Sequence, residues 1–152
     1  MRRTIQYAAV AVAIIGLIDA IYLTVHHYTA EPVPCAVTGG CEMVLTSPYA
    51  EVAGIPLAAF GAAAYFTAFA LAFLTVYGNS VTWKVFGALT VSMAAFSGYL
   101  IYVQAVYIHA FCQYCLLSAG TSFTLFALFL GSLATAAPIE TVSESADSVR
   151  RA

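Results

Sequence analysis

Long apolar stretches separated by short polar segments dominate the pattern of this chain. No Asp, Glu, Lys or Arg occurs between Glu51 and Lys84, or between Lys84 and Glu140. A helix needs about 20 mostly apolar residues to cross a bilayer. Four stretches have that length, at approximately residues 7–28, 56–77, 85–108 and 111–137. The pattern therefore predicts an all-α fold, an integral membrane four-helix bundle.

The segments outside these stretches predict a lid and a tail. Residues 29–55 form a long loop between the first two helices, and residues 138–152 form a short polar tail. The composition agrees with a membrane protein, since 62% of the residues are hydrophobic and 8% are charged, against about 25% charged in soluble domains. The net charge of −2 offers no basic surface for a nucleic acid and leaves membrane lipid as the expected surroundings.

The first apolar stretch has a second interpretation, a cleaved signal peptide, because Arg2 and Arg3 precede it. We reject this interpretation because the stretch is long, Asp19 interrupts it, and no convincing small-residue cleavage pattern follows. An acidic residue at the centre of a membrane helix costs about 2.5 to 3.5 kcal/mol. Asp19 therefore needs a partner or a function.

The basic residues predict the orientation of the bundle. Four spans place all five on one side, which the excess of Lys and Arg marks as cytoplasmic: Arg2, Arg3, Lys84, Arg150 and Arg151. Both termini are then cytoplasmic, and the protein is expected in a bacterial cytoplasmic membrane. The lid, with its three acidic residues and no basic one, faces outward.

All four cysteines fall on the predicted outward, oxidising side, in two pairs. Cys112 and Cys115 stand in "CQYC" at the start of the fourth helix, where unpaired amides and the helix dipole favour a thiolate. We expect Cys112 to face the lid as the sulfur more exposed to exchange, and Cys115 to face the apolar interior. Cys35 and Cys41, in "CAVTGGC", lie on a loop made flexible by glycine.

The pairs alone leave three interpretations open. They form a redox relay, or two static structural disulfides, or a zinc site of four thiolates. The spacing of the cysteines departs from the usual zinc knuckle, so no metal is predicted.

Together these motifs resemble the vitamin K epoxide reductase family, in particular its bacterial branch. Its members have four core helices, a cysteine pair in the loop after the first helix, and C-x-x-C opening the fourth. They also carry a Ser or Thr six residues past the second loop cysteine, which matches Ser47. "GLIDAIYLT" at 16–24 and "GIPLAAFG" at 54–61 extend the resemblance, which covers about residues 10–120.

The resemblance implies an electron relay that forms disulfide bonds. A reduced thioredoxin-like, DsbA-like protein passes electrons to Cys35 and Cys41, then Cys112 and Cys115 receive them, and a membrane quinone of the menaquinone or ubiquinone type accepts them. Because the chain after residue 137 is only a short tail, we expect that partner to be a separate protein.

The resemblance also bears on the quinone pocket. It implies a place for Ser47 near the quinone or the lid cysteines, whereas the sequence before Pro48 equally fits a helix N-cap. Phe111 and Tyr114 crowd the C-x-x-C, either as anchors at the membrane interface or as a wall of the quinone pocket. Asp19 and His26 share a helix face, where they either deliver protons to the quinone or fix helix packing through a buried hydrogen bond, and His109 is a further candidate proton donor.

Two departures favour quinone over epoxide as the substrate. Vertebrate relatives carry a Tyr one turn after the second C-x-x-C cysteine and an Asn near the head group. Ala119 stands at the first position, and the only Asn of this chain is Asn79, which is predicted at the cytoplasmic turn.

Overall fold

Four long helices make up most of the protein in the computed structural model, which describes residues 2–77 and 80–135. The elements follow in this order: α1 (Arg2–Thr29), α2 (Cys41–Leu45), β1 (Glu51–Val52), β2 (Ile55–Pro56), α3 (Leu57–Val76), α4 (Ser80–Val103) and α5 (Gln113–Ala134). The helices α1, α3, α4 and α5 are long and apolar enough to span a membrane. The predicted all-α four-helix bundle is confirmed. Asn79 and the predicted tail, 138–152, lie outside the described residues.

Two helix ends position the lid and the C-x-x-C pair at one end of the bundle. The first is the end of α1, where Ala30 takes a left-handed conformation, φ 53°, which is a common way to end a helix. The second follows α4, which continues as a π-helical turn, Gln104–Ile108, and stops at left-handed His109, φ 54°. Since consecutive spans run in opposite directions, Arg3 and Lys84 lie at the other end.

Small residues let the helices approach closely. α1 packs against α3 and α5, and α4 packs against the same two helices. The buried positions of α1 include Ala9, Ala13 and Ala20, and those of α3 include Ala68 and Ala72. In a bilayer the helices gain little from leaving lipid, so close van der Waals packing of small residues is a main source of their association.

Gly16 makes one of these close approaches possible. A Cβ atom at Gly16 would overlap the ring of Tyr65, which is fully buried between α1 and the rest of the bundle. The Tyr65 hydroxyl is in turn fixed by α5, because it lies 2.7 Å from Thr121 Oγ1 and 2.8 Å from Ser122 Oγ. One aromatic side chain therefore joins three helices.

The lid has more structure than the loop that the sequence predicts. It contains α2 and a two-stranded hairpin, in which Val52 pairs with Ile55. The hairpin turns through Ala53 and Gly54, with φ of 54° and 78°, the pair of positive φ angles that suits the twist of a tight hairpin. His27 Nε2 lies 3.1 Å from Glu51 Oε1 and so joins the hairpin to α1.

We predict that Gly16→Ala destabilises the bundle by about 1 to 3 kcal/mol, the usual cost of overpacking a core. The added methyl group would collide with Tyr65, whose hydroxyl is anchored on α5. Thermal unfolding in detergent measures the effect. The matched control is Gly98→Ala in α4, where an added Cβ meets nothing within 4 Å. Equal unfolding temperatures for the two variants would contradict the prediction.

Candidate redox site

Cys112 and Cys115 lie in the first turn of α5, where the sequence predicts them. Cys112 is the N-cap residue, and its sulfur accepts a hydrogen bond from the amide of Cys115 at 3.5 Å. The Cys112 amide donates to Gln104 Oε1 at 3.0 Å, and Gln104 is almost fully buried. The sequence analysis missed Gln104. A lone amide side chain near the end of an apolar span, eight residues before a cysteine, was the available signal.

The thiol of Cys112 is adapted to react as a thiolate. A hydrogen bond from the Cys115 side chain lowers the pKa of Cys112 from 9.0 to about 7, although burial acts in the opposite direction. Backbone hydrogen bonds from Cys115 and Tyr114 add to the lowering. The thiolate is the reactive form in thiol–disulfide exchange, so Cys112 has the character of an exchanging sulfur at neutral pH.

The two loop cysteines form a disulfide, whereas Cys112 and Cys115 are free thiols. Cys41 is fully buried and packs in one cluster with Val44 and Cys112. Cys35 is partly exposed, and the Thr38 hydroxyl lies 3.3 Å from its sulfur. A protein that approaches the lid from outside therefore reaches Cys35 first, while Cys41 already lies beside Cys112.

The two residues between Cys112 and Cys115 hold the lid in place. Gln113 Oε1 accepts a hydrogen bond from the Val37 amide at 3.0 Å. The Tyr114 hydroxyl donates to the carbonyl oxygen of Pro34 at 3.1 Å. These bonds flank Cys35 on both sides, so the variable part of the C-x-x-C motif serves as the docking surface for the lid.

Gly40 allows the lid to rest directly on the backbone that precedes Cys112. A Cβ atom at Gly40 would lie 2.8 Å from the carbonyl oxygen and 3.0 Å from the amide of Phe111. Both atoms belong to the backbone and have little freedom to move away. The residue that precedes Cys41 must therefore be small for Cys41 to pack on Cys112.

A cavity of about 670 Å³ lies beneath the lid, between the helices. Cys115 lines it together with Asp19, Ser47 and residues of α3 and α4, and Cys112 is not among the described lining residues. Cys112 is 0% exposed and packs with Cys41 of the lid, so an exchange partner reaches it through the lid and not from solvent. Cys115 is the sulfur that is partly open, toward the cavity.

The cavity wall is mainly apolar, with a few polar groups near Cys115. Ser118, Ala119 and Ser122 continue the face of α5 that carries Cys115. Tyr65 also lines the cavity, and its hydroxyl lies 3.1 Å from Ser118 Oγ. Neither Tyr65 nor the serines stood out in the sequence, because only the packing of α3 on α5 brings them together.

The structure divides the other predicted residues into two groups. Asp19, His26 and Ser47 line the cavity. His26 Nδ1 lies 3.3 Å from the backbone oxygen of Glu31. The described residues that line the cavity do not include Phe111, Tyr114 or His109. Tyr114 instead holds the lid, and Phe111 and His109 are exposed.

One interpretation of the sequence placed Ser47 at the N-cap of a helix, and the structure shows that it does not cap one. Its hydroxyl donates to the carbonyl oxygen of Val44 at 2.7 Å, and a turn rather than a helix follows it. The bond closes the end of α2 and leaves Ser47 at the cavity wall.

Comparisons with known proteins agree with this geometry. The model of the vitamin K epoxide reductase family matches residues 7–130, which include all four cysteines and Ser47. The thiol-disulfide oxidoreductase LTO1 of Arabidopsis thaliana is 36% identical over 122 residues, which cover 74% of this chain. They cover 32% of that relative, so the chain spans about a third of its length.

We predict that Cys112 titrates with a pKa near 7 in the reduced protein. Because the pKa is lowered, the thiolate appears as the pH rises through about 7 rather than through 9.0. The ultraviolet absorbance of the thiolate, measured as the difference between the wild type and Cys112→Ser, follows this titration. A midpoint close to 9.0 would show that the hydrogen bond from Cys115 is not formed.

A second prediction concerns the contact at Gly40. In a chain that keeps only Cys41 and Cys112, with Cys35→Ala and Cys115→Ala, mild oxidation should form the Cys41–Cys112 disulfide readily. Gly40→Ala should slow its formation by about tenfold or more. The added methyl group would press on the backbone of Phe111, and bringing Cys41 to Cys112 would then cost about 1 to 3 kcal/mol more. Gel mobility after alkylation measures the rate.

Gly39→Asn is the matched control for this experiment. Gly39 has φ 65° and meets nothing within 4 Å, and Asn tolerates the left-handed conformation better than other residues with a side chain. It should leave the rate of disulfide formation near that of the parent chain. If both variants slow the reaction equally, loop flexibility rather than the contact at Gly40 controls it.

Proposed function

This chain belongs to the vitamin K epoxide reductase family, and from that membership we propose that it is a thiol oxidase that drives disulfide bond formation with a membrane quinone as electron acceptor. It is a multi-pass membrane protein and a thiol–disulfide oxidoreductase. The observation that carries the finer proposal is the pairing of an exchangeable lid disulfide above a C-x-x-C pair that opens on a cavity.

The relay begins at the outer surface of the lid. A thiolate of a reduced thioredoxin-like protein attacks Cys35, which is the exposed sulfur of the lid disulfide. The S–S bond breaks, and Cys41 leaves as a thiolate beside Cys112. The second thiol of the partner then releases the partner as a disulfide, so two electrons remain on Cys35 and Cys41.

The second exchange passes the electron pair inward. Cys41 attacks Cys112 in the Cys112–Cys115 disulfide, and Cys115 leaves as the thiolate. Cys35 then attacks Cys41, which restores the lid disulfide and leaves Cys112 and Cys115 reduced. An oxidised lid pair above two free thiols is the redox state of this structure, and it corresponds to the stage just before the electrons leave the protein.

The cavity fits the head group of a quinone. Its volume of about 670 Å³ lies within the range of ligand pockets, 300 to 1,000 Å³. Its apolar wall suits a flat ring, and Ser47 and Cys115 provide the polar contacts that we assign to the acceptor. When bound, a menaquinone or ubiquinone would accept two electrons and two protons while Cys112 and Cys115 rejoin as a disulfide.

The features of the cavity favour a quinone over an epoxide. Ala119 lines the cavity at the place where vertebrate relatives carry a Tyr, so no hydroxyl is available from that residue to assist a departing oxygen. Of the residues expected to support proton transfer, we retain Asp19 and His26, which line the cavity, and set aside His109. For the same reason we set aside Phe111 and Tyr114 as quinone contacts.

We further propose a bacterial cytoplasmic membrane as the location, with both termini cytoplasmic and the lid outward, because the basic residues near the spans then lie inside. The redox partner that we propose is a DsbA-like protein, which would meet the lid at Cys35. The acidic lid, with Glu31 and Glu42 exposed and no Lys or Arg from 29 to 55, suits a partner with basic residues around its active-site cysteine.

Replacement of Cys115 by Ala tests the relay. We expect quinone reduction with reduced thioredoxin as donor to be lost, because no second thiol remains to close the Cys112–Cys115 disulfide. The same variant should accumulate the Cys41–Cys112 mixed disulfide, which mass spectrometry of peptides identifies. Thr124→Ala on the lipid-facing side of the same helix is the matched control and should keep full activity.

The alternative of static disulfides makes the opposite prediction. Cys35–Cys41 would then stay intact in the Cys115→Ala variant, and no mixed disulfide would form with reduced thioredoxin present. Unchanged quinone turnover in that variant would refute the relay, since it would show that electrons reach the quinone by another route.

A further inference from the structure

Asp19 is the one acidic residue in the membrane-spanning part of α1, and the relay described above retains it as proton support without assigning it a step. It is 6% exposed, and neither of its carboxylate oxygens has a hydrogen-bond partner among the described residues. Other buried polar side chains of the bundle are paired: Gln104 accepts from the Cys112 amide, and Tyr65 contacts three side chains of α5. Asp19 is thus a buried polar group that lacks a partner within the described part of the protein.

The position of Asp19 shows where its partner belongs. The side chain lines the same cavity as Cys115 and Ser118. Burying an unpaired carboxylate in an apolar setting costs free energy. A protonated carboxyl group that donates a hydrogen bond to an oxygen atom of a bound ligand avoids this cost.

The neighbouring helices supply no ion that could pair with Asp19. Neither α3 nor α5 contains Asp, Glu, Lys, Arg or His, and the only such residue in α4 is Lys84, near its start at the opposite end of the bundle. Besides Asp19, the spanning helices supply four titratable groups to the cavity wall: Tyr65 from α3, Cys115 from α5, and His26 and His27 from α1 itself. The lid supplies the others that the described lining contains: Glu31, Glu42, Tyr49 and Glu51. Of the described lining residues in the spanning helices, Asp19 supplies the carboxyl group, which is a stronger acid than an imidazolium, a thiol or a phenol.

We propose that Asp19 is the proton donor to a carbonyl oxygen of the electron acceptor. The inference rests on the proposed function, because it assigns a residue to the step in which the acceptor is reduced. When Cys112 and Cys115 join, their two S–H bonds break and the S–S bond forms, and two electrons and two protons pass to the quinone. Asp19 gives one of these protons and regains it from the thiol that loses it, so the residue ends the cycle unchanged.

Asp19→Asn tests the proposal in the full-length chain. The amide keeps the size of the side chain but holds no transferable acidic proton. With reduced thioredoxin as donor and a short-tailed ubiquinone analogue as acceptor, kcat should fall by about 100-fold or more, the range of general acid catalysis. The KM for the quinone should change little, and Asp19→Glu should restore most of kcat.

A second readout separates proton donation from a structural role. Reduction of the Cys112–Cys115 disulfide by thioredoxin without quinone, followed by alkylation, should proceed at the wild-type rate in Asp19→Asn. Loss of this exchange together with kcat would overturn the proposal, because Asp19 would then hold the bundle in shape. Unchanged kcat in Asp19→Asn would overturn it directly. If the Asn variant does not fold, Asp19→Ser takes its place beside Asp19→Glu.

Two controls keep the proposal distinct from the function on which it rests. Thr75→Val removes another buried polar side chain of the bundle, which bonds to Leu71 and Thr82 and does not line the cavity, and it should leave kcat unchanged. If the wild type exchanges thiols but reduces no quinone, then the proposed acceptor is wrong and the role of Asp19 falls with it. If the wild type reduces quinone and Asp19→Asn does so equally well, only the inference fails.

Discussion

The contact between the lid and the first turn of α5 is the interaction on which the chemistry depends. Thiol–disulfide exchange requires one sulfur to approach another closely, and Cys41 can do so only because Gly40 lies against the backbone of Phe111. Gln113 and Tyr114 hold the lid in this position through hydrogen bonds to its backbone. The same contact buries Cys112, so that the lid is the part of the protein through which its sulfur is reached.

This contact gives the two sulfurs of the C-x-x-C motif different surroundings within one helical turn. Cys112 lies under the lid beside Cys41, and its amide is fixed by Gln104. Cys115 faces the cavity, whose upper wall includes Ser47 and other lid residues. A movement of the lid would therefore change access to Cys112 and the shape of the cavity together, which links the outer exchange to the inner one.

The membrane explains why so few polar side chains define the site. Helices in lipid associate through close packing and hydrogen bonds, and each polar group in the bundle needs a partner. Tyr65 and Gln104 meet this need inside the protein and so fix the relative positions of α3, α4 and α5. Asp19 has no such partner among the described residues. Tyr65 and Gln104 therefore stabilise the bundle, whereas Asp19 is available to a ligand.

The sequence by itself determined the number of spans, the two cysteine pairs and their common end of the bundle. These depend on local properties: the length of apolar stretches, the spacing of Cys112 and Cys115, and the rule that consecutive spans alternate in direction. The family resemblance likewise needed only motifs. Tertiary structure decided which sulfur is covered, because the burial of Cys112 comes from a lid segment more than 70 residues away. It also placed Tyr114 against the lid and not in the cavity. Gln104, Tyr65 and Asp19 line one cavity with Cys115 only because different helices pack together, and such contacts leave no periodic signal in the sequence of a single helix.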